Sequence, residues 1–185
     1  YSEGADLYLP QGEDFNIALW QLAHAAHARG NTLPITLQPQ LSRLQPDQEP
    51  STWLIVEDDL SCRDAIEMMC EIRGLRFISL SDGAQAGQWL TGDIPRPLPV
   101  VALVDIRMPA LYGHMVAAQI RQHAELNDIP IILMTAMDLP DTQHRKVMEI
   151  SQADMLLFKP LPAMDQLVDL ARQIMQQRRS TAPAR

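Results

Sequence analysis

Four places in this chain put chemically capable side chains where a short apolar run stops. The acidic run Glu57-Asp58-Asp59 follows Trp53-Leu54-Ile55-Val56, and Asp105 follows Val100-Val101-Ala102-Leu103-Val104. Thr135 follows Ile131-Ile132-Leu133-Met134, and Lys159 follows Leu156-Leu157-Phe158. Short apolar runs bounded by polar residues read as strands of a sheet buried on both faces. If those strands are parallel, the polar groups gather at one carboxyl edge, where open α/β sheets place their sites. Carboxylates, a hydroxyl and an ammonium together suit a divalent cation and a phosphoryl group.

The elements that must position these groups alternate from Ser51 onward. Expected are a strand at Trp53–Val56, a helix from about Ser61 to Arg73 ended by Gly74, and a strand at Phe77–Leu80. A short helix at Gly83–Thr91 follows, then a loop through Gly92–Pro99, which holds three prolines. The third strand ends at Asp105, and a helix runs from past Gly113 to near His123. The fourth strand ends at Thr135, a helix covers Asp141–Ser151, the fifth strand ends at Phe158, and a last helix covers Met164–Arg178. This alternation predicts a parallel sheet with helices on both faces.

The first fifty residues read differently. Glu13–Arg29 carries a helical stripe of Phe15, Leu19, Leu22 and Ala26, and residues 31–50 are rich in Pro and Gln and read as a linker. Ala5-Asp6-Leu7-Tyr8-Leu9-Pro10-Gln11-Gly12 lines up with Ala153-Asp154-Met155-Leu156-Leu157-Phe158-Lys159-Pro160, with Gln11 in the place of Lys159. Two readings stand open for residues 1–30: a helical extension, or the last strand and helix of a preceding degenerate copy of the same domain. The expected division is therefore 1–30, linker 31–50, main domain 51–179 and a flexible tail 180–185.

Leu54-Ile55-Val56-Glu57-Asp58-Asp59, Val104-Asp105-Ile106-Arg107-Met108-Pro109 with Gly113, Leu133-Met134-Thr135-Ala136 and Phe158-Lys159-Pro160 together resemble the receiver domain of two-component response regulators. The resemblance implies a flavodoxin-like, doubly wound α/β fold with five parallel strands in the order 2-1-3-4-5. It implies that Asp105 accepts a phosphoryl group from a histidine kinase or a histidine phosphotransfer protein. It implies Mg²⁺, with Mn²⁺ as a substitute, held by Asp58, Asp105 and the backbone carbonyl of Arg107, with Glu57 acting through water and Asp59 as a substitute ligand. Thr135, Ala136 and Lys159 would bind the phosphoryl group, and Pro160 would follow a cis bond. An effector would be met at the helix 4–strand 5–helix 5 face, and the domain itself would not count as an enzyme.

One departure stands out. Receivers usually carry an aromatic residue three positions before the lysine, and here that position is Leu156. Rival readings are a non-phosphorylated interaction module, which the complete acidic and basic set weighs against, and an aspartyl-phosphate phosphatase. The latter wants a second acid two positions after the nucleophile, where this chain has Arg107.

Composition narrows the rest. A formal net charge of −8 argues against the phosphate backbone of nucleic acid as a direct partner. No apolar run approaches the ~20 residues of a membrane span. Cys62 and Cys70 lie about 12 Å apart along one expected helix, too far for a disulfide. Unpaired cysteines fit a reducing cytoplasm, and Cys70 reads as a small core residue. His24 and His27 lack a third ligand nearby in sequence, and His114, His123 and His144 show no partner pattern.

Overall fold

The computed structural model describes residues 51–181. The expectations for residues 1–50 lie outside the described residues, as does the end of the tail. Five strands, β1 (Thr52–Val56), β2 (Arg76–Leu80), β3 (Pro99–Asp105), β4 (Ile131–Thr135) and β5 (Met155–Phe158), alternate with five helices. The helices are α1 (Leu60–Ile72), α2 (Gly83–Thr91), α3 (Gly113–Gln122), α4 (Asp141–Ser151) and α5 (Met164–Thr181). All pairings are parallel, as the alternation predicts, and the order is β2-β1-β3-β4-β5, as the resemblance implies. The expected boundaries hold to within a residue or so, except that α5 continues past Arg178 to Thr181. No helix-breaking residue intervenes there, and Arg178 is anchored by Asp154 and the carbonyl of Asn127.

The sheet is buried on both sides because successive side chains of each central strand feed opposite cores. Ile55, Leu103 and Met134 pack with Ile66, Cys70, Leu167 and Ala171 beneath α1 and α5. Leu54, Val104 and Leu133 pack with Val116, Ile120 and Leu126 on the other side. The loop with Pro95 and Pro97 before β3 lies at the amino edge, and Pro99 sits at the first position of its strand, where a missing donor is tolerated.

Local signals set the helix ends. Asp59 and Asp82 cap α1 and α2, their carboxylate oxygens each 2.7 Å from the backbone N–H three residues on. Gly74, at φ 65°, takes the left-handed conformation that ends α1. At the amino edge an ion cluster ties three elements together. Asp154, just before β5, accepts from Arg121 of α3 at 2.5 Å, from Arg178 of α5 at 2.7 Å and from the backbone N–H of Ile131 at 2.8 Å. Arg121 also donates to the carbonyls of Gln152, Asn127 and Ile129. Among the described residues, no helix is long and apolar enough to cross a membrane.

Candidate functional site

Parallel register delivers the four sequence stretches to one place. The strand ends Val56, Asp105, Thr135 and Phe158 bring Glu57, Asp58, Asp59, Asp105, Arg107, Thr135, Ala136, Met137 and Lys159 around a cavity of about 190 Å³. Asp105 is itself the last residue of β3, buried, while Glu57 directly follows β1 and has no exposed surface. Glu57, Asp58 and Asp105 each offer a carboxylate oxygen within 4.8 Å of the others, a spacing that could hold a metal ion. Asp58 is the exposed member of the three.

One cation answers the two buried carboxylates. Lys159 Nζ lies 2.6 Å from Glu57 Oε2 and 2.6 Å from Asp105 Oδ1. Burial raises the pKa of both Glu57 and Asp105, and Lys159 opposes the rise. Burial also works against the ammonium, yet the surrounding acidic groups outweigh it and the Lys159 pKa is raised. The directions are consistent: two anions share one cation, so each anion is underpaid in charge and the cation overpaid.

Backbone geometry fixes Asp105. Its Oδ2 accepts from the Arg107 N–H at 2.6 Å, and the Gly113 N–H donates to the carbonyl of Ile106 at 2.9 Å. A Cβ at Gly113 would overlap the Asp105 carbonyl oxygen, so only glycine lets α3 begin this close. Between them Ala110 adopts φ 67°, a left-handed conformation that is costly for a residue with a Cβ and that sequence reasoning missed. On the facing strand, the Thr135 hydroxyl accepts from the Met137 N–H at 3.1 Å, and its carbonyl accepts from the Lys159 N–H at 2.8 Å. The Lys159–Pro160 bond is cis.

Several expectations change here. Asp59 is committed to capping α1 through its Oδ1, so its carboxylate is a poor substitute ligand. Its backbone N–H instead reaches Glu57 Oε1 at 3.3 Å. The Arg107 side chain, read from sequence only as a missing acid, reaches across the cavity to the Met137 sulfur at 2.6 Å. Trp53 is buried four positions before Glu57, about 13 Å along the strand, which makes it a remote reporter of events at the site. Cys62 was not singled out for chemistry, yet its Sγ lies 3.1 Å from Glu57 Oε2. Burial and the adjacent Glu57 carboxylate push the thiol pKa well up, so it stays protonated and donates. A cysteine five positions after the first acid, on the buried face of the following helix, was the signal available.

A family model described as the response regulator receiver domain matches residues 53–172. The chain belongs to that family. Among curated relatives, this receiver is 30% identical over 140 residues to the C4-dicarboxylate transport transcriptional regulatory protein DctD of Pseudomonas aeruginosa, covering 75% of this chain and 28% of that protein. It is 34% identical over 84 residues to the probable transcriptional regulator ycf27 of Guillardia theta, covering 45% of this chain and 30% of the relative. The chain thus spans less than half the length of these relatives. Among solved structures, a putative response regulator from Chloroflexus aurantiacus aligns with a TM-score of 0.57 at 25% identity, covering 69% of this chain and 99% of that one. A CheY-like receiver domain protein from Methanospirillum hungatei shares the fold with a TM-score of 0.59 at 17% identity, covering 71% and 99% of the two chains. The receiver therefore belongs to phosphorelay signal transduction, in which such domains work with histidine kinases and effectors.

Proposed function

We propose that this receiver takes a phosphoryl group onto Asp105 from a phosphohistidine protein, a histidine kinase or a histidine phosphotransfer protein, in a Mg²⁺-dependent step. The observation that carries this is the gathering of Glu57, Asp58, Asp105, Thr135 and Lys159 around one open cavity. Asp58, Asp105 and the Arg107 backbone carbonyl would hold the ion, with Glu57 reaching it through water because both of its oxygens already accept protein donors. Mg²⁺ suits such a site because it prefers oxygen ligands and keeps several waters; Mn²⁺ is expected to replace it. When bound, the ion would neutralise charge on the transferring group.

The chain's own residues do the rest. An Asp105 carboxylate oxygen attacks phosphorus in line as the phosphorus–nitrogen bond of phosphohistidine breaks, and the imidazole keeps that electron pair and takes up a proton. The Arg107 N–H holds the other Asp105 oxygen and fixes the direction of attack. Lys159 pairs with the new phosphoryl oxygens as a point charge, Thr135 turns its hydroxyl from Met137 to them, and Ala136 leaves them room. The Lys159 N–H on the Thr135 carbonyl makes the two loops move together. Partner binding then switches at the face of α4, β5 and α5, where Ile150 and Phe158 are exposed. Such a role fits the cytoplasm and does not require the domain to be an enzyme.

Incubating the protein with a small-molecule phosphodonor, with and without Mg²⁺, tests this. Wild type is expected to gain a hydroxylamine-labile label that Asp105→Asn lacks. Label that persists in the variant would reassign the acceptor. No label in wild type under any donor would favour a receiver that acts as an interaction module without phosphorylation.

A further inference from the structure

Glu57 is fully buried, and its position depends on few donors. Oε1 accepts only the long 3.3 Å bond from the Asp59 N–H. Oε2 accepts both the Lys159 ammonium at 2.6 Å and the Cys62 thiol at 3.1 Å. Arg63, nearby on α1, donates to the Glu57 backbone carbonyl at 2.8 Å and so leaves the carboxylate untouched. On the reading of Asp105 above, Lys159 must turn toward the phosphoryl group as it forms. Of its protein donors Glu57 would then keep only the long backbone bond and whatever Cys62 supplies. A buried carboxylate stripped of its strongest partner is costly.

The thiol is held in place to meet that need. Cys62 sits in the first turn of α1, and its own N–H donates at 2.7 Å to Asp59, the cap of that helix. Its side chain is closed off from solvent, with 3% of the residue exposed, and packs in the core beneath α1 and α5. The Lys159 ammonium also lies against its sulfur, but as a donor, so the thiol hydrogen itself goes to Glu57.

We propose that Cys62 is a positioning residue for phosphoryl transfer, its thiol keeping Glu57 hydrogen-bonded while Lys159 moves from Glu57 to the phosphoryl group on Asp105. Cys62 touches neither the phosphoryl group nor the ion; it acts through Glu57. An alanine there leaves the ammonium as the only side-chain donor to Glu57, which holds Lys159 back. A serine restores an O–H donor of similar size.

The experiment compares wild type, Cys62→Ala, Cys62→Ser, Glu57→Gln and the Glu57→Gln/Cys62→Ala double variant. The limiting labelling rate is measured with a small-molecule phosphodonor at saturating Mg²⁺. The Lys159 ammonium signal is followed by NMR in the metal-free protein. Cys62→Ala should label about fivefold more slowly, the size of one modest hydrogen bond, and Cys62→Ser should recover most of the rate. In the Glu57→Gln background the Cys62→Ala change should add nothing, because the thiol acts through that carboxylate. The ammonium signal should shift in Cys62→Ala and return in Cys62→Ser. Unchanged labelling in Cys62→Ala, or a loss that simply adds to that of Glu57→Gln, overturns the Cys62 role and leaves the Asp105 reading standing. Absence of label in wild type overturns the Asp105 reading, and this role with it.

Discussion

The two edges of the sheet each hold a cluster of charge, half-buried at the amino edge and buried at the carboxyl edge, and they are composed in opposite ways. At the amino edge one carboxylate, Asp154, faces two guanidiniums and a backbone N–H, and Arg121 spends its remaining donors on three carbonyls. At the carboxyl edge two buried carboxylates and an exposed third face one ammonium, around an open cavity. In the first cluster the anion is matched by two cations, and the cluster fastens α3, β5 and α5. The second is short of positive charge and has room to receive it. A fold can afford such an imbalance in one place because the rest of the molecule is held by ordinary packing and paired ions. Unbalanced charge beside empty space marks the working end more sharply than the presence of ion pairs does.

Substitutions that neutralise one acid in each cluster should act in opposite directions. Asp105→Asn is expected to abolish labelling while raising stability to denaturant, since it relieves a crowded anion and leaves Lys159 on Glu57. Asp154→Asn should leave labelling of the folded protein intact and cost about 3 kcal/mol, because two guanidiniums lose their shared anion in a largely buried setting. Denaturant unfolding together with label incorporation measures both. Similar destabilisation by the two variants would erase the contrast.

A smaller effect concerns the ion. Asp58→Ala should weaken Mg²⁺ binding at least about tenfold, read by titration calorimetry because Trp53 lies too far away. Equal affinity in the variant and wild type would remove Asp58 from the ligand set.

Acid–base behaviour follows from the raised carboxyl pKa values. A carboxyl group whose folded pKa lies above its ordinary value, 3.8 for Asp105 and 4.5 for Glu57, supports the fold below that ordinary value and loses that support as pH rises through the folded one. The stability advantage of Asp105→Asn over wild type should therefore grow as pH rises from about 4 toward neutrality. Lys159, also raised, contributes below its ordinary value of 10.5 and loses its contribution only above that. Urea unfolding across this range gives the sign directly, and an advantage that shrinks with pH contradicts the charge crowding described here.

The smallest expected signal is the switch itself. Leu156 packs toward the core shared with Val147 and Met148 of α4, and Phe158 lies two positions on along β5, half exposed beside Thr135. With a leucine in the usual aromatic position, binding of a stable phosphoryl mimic should loosen or tighten amide exchange in α4 without an aromatic flip. Exchange that is unchanged across α4 while Phe158 reorients would show an aromatic relay running through Phe158 instead.

Much of this was legible in the sequence for a simple reason. Central strands of a parallel sheet must be apolar on both faces, so their ends are marked by the first polar residue, and those residues are the site. Glu57, Asp105, Thr135 and Lys159 were visible that way, and so was the strand order once the family resemblance was in hand. What escaped depends on where side chains meet across the chain. Asp59 could be read as a substitute ligand or as a helix cap, and only the folded chain shows its Oδ1 taken by the cap. Cys62 was read only as an unpaired cysteine but reaches Glu57. Arg107 looked like the absence of an acid but spans the cavity to Met137. The Arg121–Asp154–Arg178 cluster joins residues far apart in sequence and left no periodic trace.

Gly113 shows how far the site extends beyond the residues that do its chemistry. It has no side chain to offer, yet α3 begins so close to the Asp105 carbonyl that any larger residue must displace the strand end or the helix. A random mutagenesis screen for silent signalling should therefore return alleles at codon 113 almost as readily as at codon 105. Their products should be recognised by normal abundance and lost response to stimulus, and reverting them should require a compensating change in the 106–112 loop.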